Sequence, residues 1–176
     1  LAIGADADFL NQFDGSVHQQ YRYLRHVTKF IPTGFDRILA SKGLILTALS
    51  TKNSHQLSRW IKQLNREIEH QILGDGGHVT RSPSIKLSLL RHLIDIRSAL
   101  RDAKEDVSHG LQTAIDKTAP MVRFFRHGDG GLALFNGSDE DEGWLIDVVL
   151  TRSEARGKPL ESAPHSGFER LSANRT

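Results

Sequence analysis

Apolar residues recur at three- and four-residue spacings along most of the chain, which predicts amphipathic helices rather than strands. The first periodic segment runs from about Asp6 to Ile31, and Pro32-Thr33-Gly34 interrupts it. The next stretch, from Ile38 to Leu49, is apolar around most of its circumference. These two segments therefore predict a half-buried helix followed by a helix buried on several sides.

Residues that favour the first position of a helix precede the next three periodic segments. Asn53 or Ser54 can cap a third helix, whose charged positions face water. Ser82 followed by Pro83 is a typical helix start, because proline is tolerated where its missing N–H is not needed. Ser108 can cap a fifth helix.

The character of the chain changes after the fifth helix. Aromatic residues, a Gly-Asp-Gly-Gly turn and a second apolar run predict a short β-hairpin near residues 123–136. The acidic residues 139–142 suit the start of a sixth helix, since negative charge there opposes the helix dipole. The predicted apolar face of that helix comprises Trp144, Leu145, Val148 and Val149.

The elements together predict a mainly all-α protein. Helical segments joined by short connections are typical of antiparallel helical hairpins packed in an inner and an outer layer. A plain helical bundle fits the same pattern nearly as well. A tail from residue 158 onward is predicted to be loop, with a first strand turn near Phe168.

Composition narrows the class of protein. With 176 residues, 38% of them hydrophobic and 25% charged, the chain has the profile of one globular domain, and no apolar run approaches the ~20 residues of a membrane span. The absence of cysteine excludes disulfides, thiolate metal sites and thiol redox chemistry. It leaves the compartment open.

Charge alone does not indicate a nucleic-acid-binding protein. The formal net charge is only +2, from 23 Lys and Arg against 21 Asp and Glu. Arg22 and Arg25, with Tyr21 and Tyr23 nearby, have the residue types that contact nucleic acid. A solvated helix face explains this cluster more simply, so no nucleic-acid partner is expected.

Two loops carry more polar groups than a helix connection needs. The first, Leu73 to Pro83, contains three glycines and five polar side chains. The second, Arg126 to Gly131, repeats His, Arg, Asp and Gly and is followed by Asn136-Gly137. We predict that the loops form a polar cleft on the helical scaffold.

In the first loop the candidate residues are Asp75, His78 and Arg81. Arg81 precedes a helix whose free N–H groups would themselves favour an anion, so together they suit a carboxylate or sulfate. The structural interpretation is that Gly74 ends the preceding helix and that Asp75-Gly76 forms a turn.

In the second loop the candidates are His127, Asp129 and Asn136, and each also has a turn interpretation. Neither His78 with Asp75 nor His127 with Asp129 has the i, i+4 spacing that presents two ligands to one metal ion, so no metal is expected. The sequence has no G-x-S-x-G elbow and no Walker phosphate loop, which disfavours covalent and phosphoryl-transfer catalysis.

Three strings, QILGDGGHVTRSPS, PMVRFFRHGDGGLALFNG and ARGKPLESAPHSGFERL, resemble the heparinase II/III-like proteins of bacteria in the alphaproteobacterial version. This resemblance extends from about Gln20 to the end. It implies that residues 1–157 are the C-terminal part of an incomplete (α/α) toroid and residues 158–176 a linker and first strand of a β-sandwich. The N-terminal helices and the C-terminal sandwich domain would then lie elsewhere in the same polypeptide.

The resemblance also implies a polysaccharide lyase that cleaves an acidic, uronic-acid-containing glycan by β-elimination without a cofactor. Such a reaction needs a base for the proton beside the carboxylate and donors that neutralise the acid. His78 would be catalytic, and the residues expected to bind substrate are Asp75, Arg81, His127, Asp129 and Asn136. Localisation in the periplasm or cell envelope would follow, with the cytoplasm as an alternative.

The match departs from the lyases in one place, because Ser84-Ile85-Lys86 stands where they carry a catalytic tyrosine. The segment is therefore not expected to be active alone. Two alternatives stay open. The protein is a catalytically inactive glycan-binding protein of the cell envelope, or it is a helical scaffold that serves another protein and needs only the glycines of its loops.

Overall fold

The computed structural model describes residues 6–171, and the helical class predicted from the pattern is confirmed. Six helices are followed by a two-stranded antiparallel hairpin in which Ser162 pairs with Glu169 and Ala163 with Phe168. The element bounds are α1 Ala7–Val27, α2 Phe35–Ser50, α3 Ser54–Gln71, α4 Pro83–Asp102, α5 His109–Phe124, α6 Gly143–Ser153, β1 Ser162–Ala163 and β2 Phe168–Glu169.

Three of the predicted helix starts are confirmed in detail. The side chains of Asn53, Ser82 and Ser108 each accept a hydrogen bond from the backbone N–H three residues further on. Pro83 occupies the first turn of α4, where a missing N–H costs nothing. These local signals fix where α3, α4 and α5 begin.

The helices pack in two rows. Helices α2, α4 and α6 follow one another in one row, and α3 and α5 lie beside them in the second, while α1 packs against α2. The prediction that α2 is buried on several sides is confirmed, since Ile38, Leu44 and Ile45 are inaccessible to solvent. The core therefore lies between the two rows, and the loops that connect the helices lie at its ends.

Helix α1 differs from the prediction in what it buries. None of its side chains is fully buried, and Phe9 and Phe13 are 56% and 54% exposed. Only the later part of its apolar stripe packs against the core, through Tyr21 and Leu24. Periodicity identifies a helix, but it does not show whether another element covers the apolar face.

The sixth helix begins later and turns differently than predicted. It starts at Gly143, after the acidic run, and its N-cap Glu142 makes no side-chain capping bond. Trp144 is 65% exposed, whereas Ile146 and Val149 are buried against the rest of the core. The packed face is therefore rotated from the one predicted.

The β-hairpin predicted near residues 123–136 is wrong in its details. Helix α5 continues through Pro120 to Phe124, and the following turn is closed by one isolated antiparallel bridge between Arg126 and Leu132. Because α5 continues to Phe124, few residues remain before the glycines to form a strand. Among residues 6–171, no helix combines the length and apolar character that crossing a bilayer requires.

Candidate functional site

The first loop, residues 72–82, is a closed turn between α3 and α4. Ile72 and His78 form an isolated antiparallel bridge. The N–H of Leu73 donates to the carbonyl of Gly77 at 2.8 Å, and the N–H of Val79 donates to the carbonyl of Gln71 at 3.0 Å. These backbone hydrogen bonds fix the conformation of the loop without any contribution from its side chains.

Two glycines of the first loop are required by close packing. A Cβ at Gly76 would overlap with the carbonyl of Lys117 in α5, and the backbone there also has a φ of +82°, which disfavours other residues. A Cβ at Gly77 would overlap with the hydroxyl of Ser166. The glycines therefore let the loop lie directly on α5 and on the β1–β2 turn.

Asp75 ties the first loop to the β1–β2 turn. Its carboxylate accepts hydrogen bonds from the N–H of Gly77 at 2.9 Å, the N–H of Ser166 at 2.7 Å and the hydroxyl of Ser166 at 2.8 Å. Burial opposes ionisation, but these bonds and the charge of Lys86 outweigh it and hold the pKa of Asp75 below its usual value. The carboxylate is already occupied by protein donors.

His78 is buried, with 1% of its surface exposed. Its Nε2 lies 3.1 Å from the side-chain carbonyl of Gln71, and its Nδ1 lies 2.8 Å from the hydroxyl of Thr80. Because the Gln71 oxygen only accepts, Nε2 carries the proton and Nδ1 accepts. Burial and the nearby charge of Lys86 lower the pKa of His78 to about 4, so the ring is neutral and inaccessible from the surface.

Lys86 of α4 belongs to the same cluster and was missed by sequence reasoning. It is 1% exposed, its Nζ donates to the carbonyl of Gly76 at 3.4 Å, and it lies 5.3 Å from the ring centre of Phe125. Burial, only partly offset by Asp75, lowers the pKa of Lys86 to about 7. The signal was present, since Lys86 occupies a position of the apolar stripe four residues before Leu90.

The second loop, residues 126–137, has the same local turn but is open to solvent. Asp129 accepts the N–H of Gly131 at 2.9 Å, and the N–H of His127 donates to the carbonyl of Gly131 at 2.9 Å. The His127 side chain is exposed. Arg126 forms an ion pair with Asp147 of α6 at 2.6 Å, so its guanidinium is committed to a neighbouring helix.

The two loops meet at their later ends. The Asn136 amide donates to the backbone carbonyl of Arg81 at 3.1 Å, and the hydroxyls of Ser82 and Ser138 lie 3.0 Å apart. Arg81 and Asn136 both have left-handed backbones, with φ of 57° and 52°. The junction is therefore made by backbone, amide and hydroxyl groups, while His78 lies inside the protein and His127 outside.

Taken together, the predicted residues form a structural junction more than an open cleft. Asp75, His78, Asn136 and Asp129 each hydrogen-bond to a group of their own or the neighbouring loop. Within the described part of the chain, no group of three or more His, Asp or Glu side chains converges as metal ligands would. The fold and these loops define a helical segment whose polar loop groups stabilise the connections between its helices.

No protein-family profile matches the chain, and no solved structure matches it. The chain is 33% identical over 154 residues to FtsZ-localized protein C of Caulobacter vibrioides, an alignment that covers 87% of this chain and 27% of the relative. The chain thus spans about a quarter of the length of the curated relative that it matches.

This similarity corrects the functional prediction. The assignment to the heparinase II/III-like proteins is wrong, and with it the polysaccharide lyase and glycan-binding activities, because the relative found is an FtsZ-localized protein and no family profile supports the lyases. Each of the three strings that suggested the resemblance contains Gly and His, and the first two also contain Asp. In the structure those residues build turns and a buried loop junction.

Proposed function

We propose that the chain is a helical scaffold segment of a protein that localises with FtsZ. The observation that carries the proposal is the 33% identity to FtsZ-localized protein C over 87% of the chain. The geometry supports it, since the polar groups of both loops hold helices together, as expected of a module that presents surfaces to a partner protein. The acidic polysaccharide partner was expected from the family resemblance alone, and no observation supports it.

Fluorescence microscopy tests this proposal. The full polypeptide that carries this chain is fused to a fluorescent protein and expressed in Caulobacter vibrioides beside FtsZ labelled in a second colour. We expect the two signals to coincide, and we expect the same polypeptide without residues 6–171 to lose the coincidence. A diffuse signal from the complete fusion, at normal protein levels on an immunoblot, would overturn the proposal.

For the predicted loop residues, we propose a positioning role within the scaffold. Asp75 fixes the β1–β2 turn to the first loop, and Asn136 fixes the second loop to Arg81.

The predicted domain boundary between residues 157 and 158 also stays a proposal. Arg123 of α5 donates to the carbonyls of Ala155 and Gly157 at 2.7 and 2.8 Å, so limited proteolysis should cut after this clamp rather than before it.

A further inference from the structure

Two helices carry matching stripes of basic residues. Each stripe has a spacing of three and then four residues, which places its side chains on one side of a helix. All members are exposed. The first stripe is Arg22 and Arg25 of α1 together with Lys29, which lies two residues beyond the end of that helix, and the second is Arg59, Lys62 and Arg66 of α3.

The stripes border a groove. A cavity of about 470 Å³ is lined by Arg22, Arg25 and His26 of α1, by Lys29 just after that helix and by Arg59 of α3. No acidic side chain lines it. We call this cavity, with its continuation along α3, the basic groove.

The continuation is a wider depression of about 990 Å³ that shares Arg59 and includes Lys62 and Arg66. Its one acidic lining residue, Glu67, is paired with Arg37 at 3.3 Å. The positive charge of the groove is therefore not neutralised along its length.

The cations of the groove differ from those elsewhere on the surface. In the range 6–171, none of the six stripe residues forms an ion pair, whereas Arg101, Arg126 and Arg152 each bind a carboxylate at 2.6 to 2.9 Å. Because the whole chain carries a net charge of only +2, the groove concentrates positive charge that the rest of the surface balances.

One cation of the groove is held in place. The Arg59 guanidinium lies 5.0 Å from the ring centre of Trp60, within the range of a cation–π contact. Trp60 in turn donates its Nε1–H to the hydroxyl of Tyr21 at 3.3 Å, which joins α3 to α1. The groove is therefore a formed feature of the packed helices.

We propose that the basic groove binds an acidic segment of a partner polypeptide. Each stripe spans seven or eight residues, or about 10 Å along its helix, which matches two turns of a helix or a short extended run of Asp and Glu. A channel between two helices accommodates a single chain, whereas a bilayer presents a broad surface. The near-neutral net charge also separates this chain from the strongly basic domains that bind nucleic acid. The inference rests on the proposed function, because it names the docking surface of that scaffold.

Fluorescence anisotropy with a labelled ten-residue polyglutamate peptide tests the groove. The protein is the full polypeptide that carries this chain, and polyglutamine of the same length is the neutral probe. We expect saturable polyglutamate binding that weakens as salt is raised, since screening reduces such contacts. Replacing Arg22, Arg25 and Arg59 together by Gln should weaken binding at least tenfold.

The matched control removes three other exposed cations, Lys104, Arg156 and Lys158, by the same change to Gln. It lowers the net charge equally and should change the affinity less than twofold. Circular dichroism shows whether each triple variant is folded, and the single variant Arg25→Glu replaces the groove variant if it is not. Equal weakening by both triple variants would overturn the proposal, because net charge and not the groove would then explain binding.

Three competing ligands complete the test. A 20-nucleotide single-stranded DNA, vesicles of phosphatidylglycerol and polygalacturonate are compared with the peptide on the same variants. Tighter, groove-dependent binding of any of them, or no polyglutamate binding, would overturn the proposal. If peptide binding fails while the protein still localises beside FtsZ, only the groove proposal is overturned. If localisation is lost while peptide binding is intact, only the proposed function is overturned.

Discussion

The two glycine-rich loops have nearly the same sequence and opposite environments. In both, an aspartate accepts the backbone N–H two residues further on at 2.9 Å, Asp75 from Gly77 and Asp129 from Gly131. The first loop is covered by α5 and the β1–β2 turn, whereas the second is largely open to solvent. Local sequence therefore specifies the turn, and the elements that pack on it decide whether its polar groups are buried.

The strongest test of this difference between the loops is to add one methyl group to each of them. Gly76→Ala forces a side chain into a left-handed backbone and against the Lys117 carbonyl, so we expect a loss of roughly 3–5 kcal/mol in the free energy of unfolding. Gly128→Ala meets no atom within 4 Å and should change it by less than about 0.5 kcal/mol. Urea denaturation followed by circular dichroism measures both, and similar effects of the two variants would contradict the comparison.

A second prediction uses the buried imidazole of the first loop. The pKa of His78 is lowered from 6.5 to about 4, so between these two pH values the imidazole binds a proton in the unfolded chain and not in the folded protein. The contribution of His78 to the free energy of unfolding is therefore fully present above pH 6.5. About 3 kcal/mol of it is lost as the pH falls toward 4. Urea denaturation at several pH values should show this slope.

The control for the pH effect is His78→Gln, which cannot titrate in this window. Its stability should depend less on pH between 4 and 6.5 than that of the wild type, whereas His127→Gln in the exposed loop should keep the wild-type slope. Lys86 acts in a separate pH range. Its pKa is about 7 in the folded protein and 10.5 in the unfolded chain, so its contribution to stability rises only as the pH rises from 7 to 10.5. A wild-type slope in His78→Gln would show that His78 is not the buried neutral group.

A third prediction compares the two aspartates. Asp75→Ala removes the acceptor of three hydrogen bonds and leaves the N–H and hydroxyl of buried Ser166 without this partner, so we expect a loss of about 2–3 kcal/mol. Asp129→Ala removes one exposed bond and should cost less than about 1 kcal/mol. Thermal unfolding of both variants checks the difference, and equal melting temperatures would contradict it.

Sequence reasoning predicted what is local and missed what is distant. The helix class and the capping roles of Asn53, Ser82 and Ser108 follow from a few neighbouring residues. The partner of Asp75 is Ser166, 91 residues further along, which no local pattern indicates. Lys86 interrupts the apolar stripe of α4 visibly, but its burial depends on what packs there.

Arg97 of α4 shows the same limit. It is 1% exposed and donates to the carbonyls of Ser153 and Arg152 at 2.9 and 2.6 Å, so it stabilises the end of α6. Its spacing from Leu93 places it in the apolar stripe. A charged residue in such a position signals a buried tertiary contact, but the acceptors become known only when the fold is seen.

The smallest predicted effect concerns an ion pair at the edge of the second loop. Arg126 and Asp147 form an ion pair at 2.6 Å in which the Asp147 side chain is 60% exposed. Such a pair competes with water and is screened by salt, so a double-mutant cycle of Arg126→Ala and Asp147→Ala should give a weak coupling that becomes weaker still at 0.5 M salt. A larger coupling would mean that the second loop is held as firmly as the first, and the contrast between them would then lie in the glycines alone.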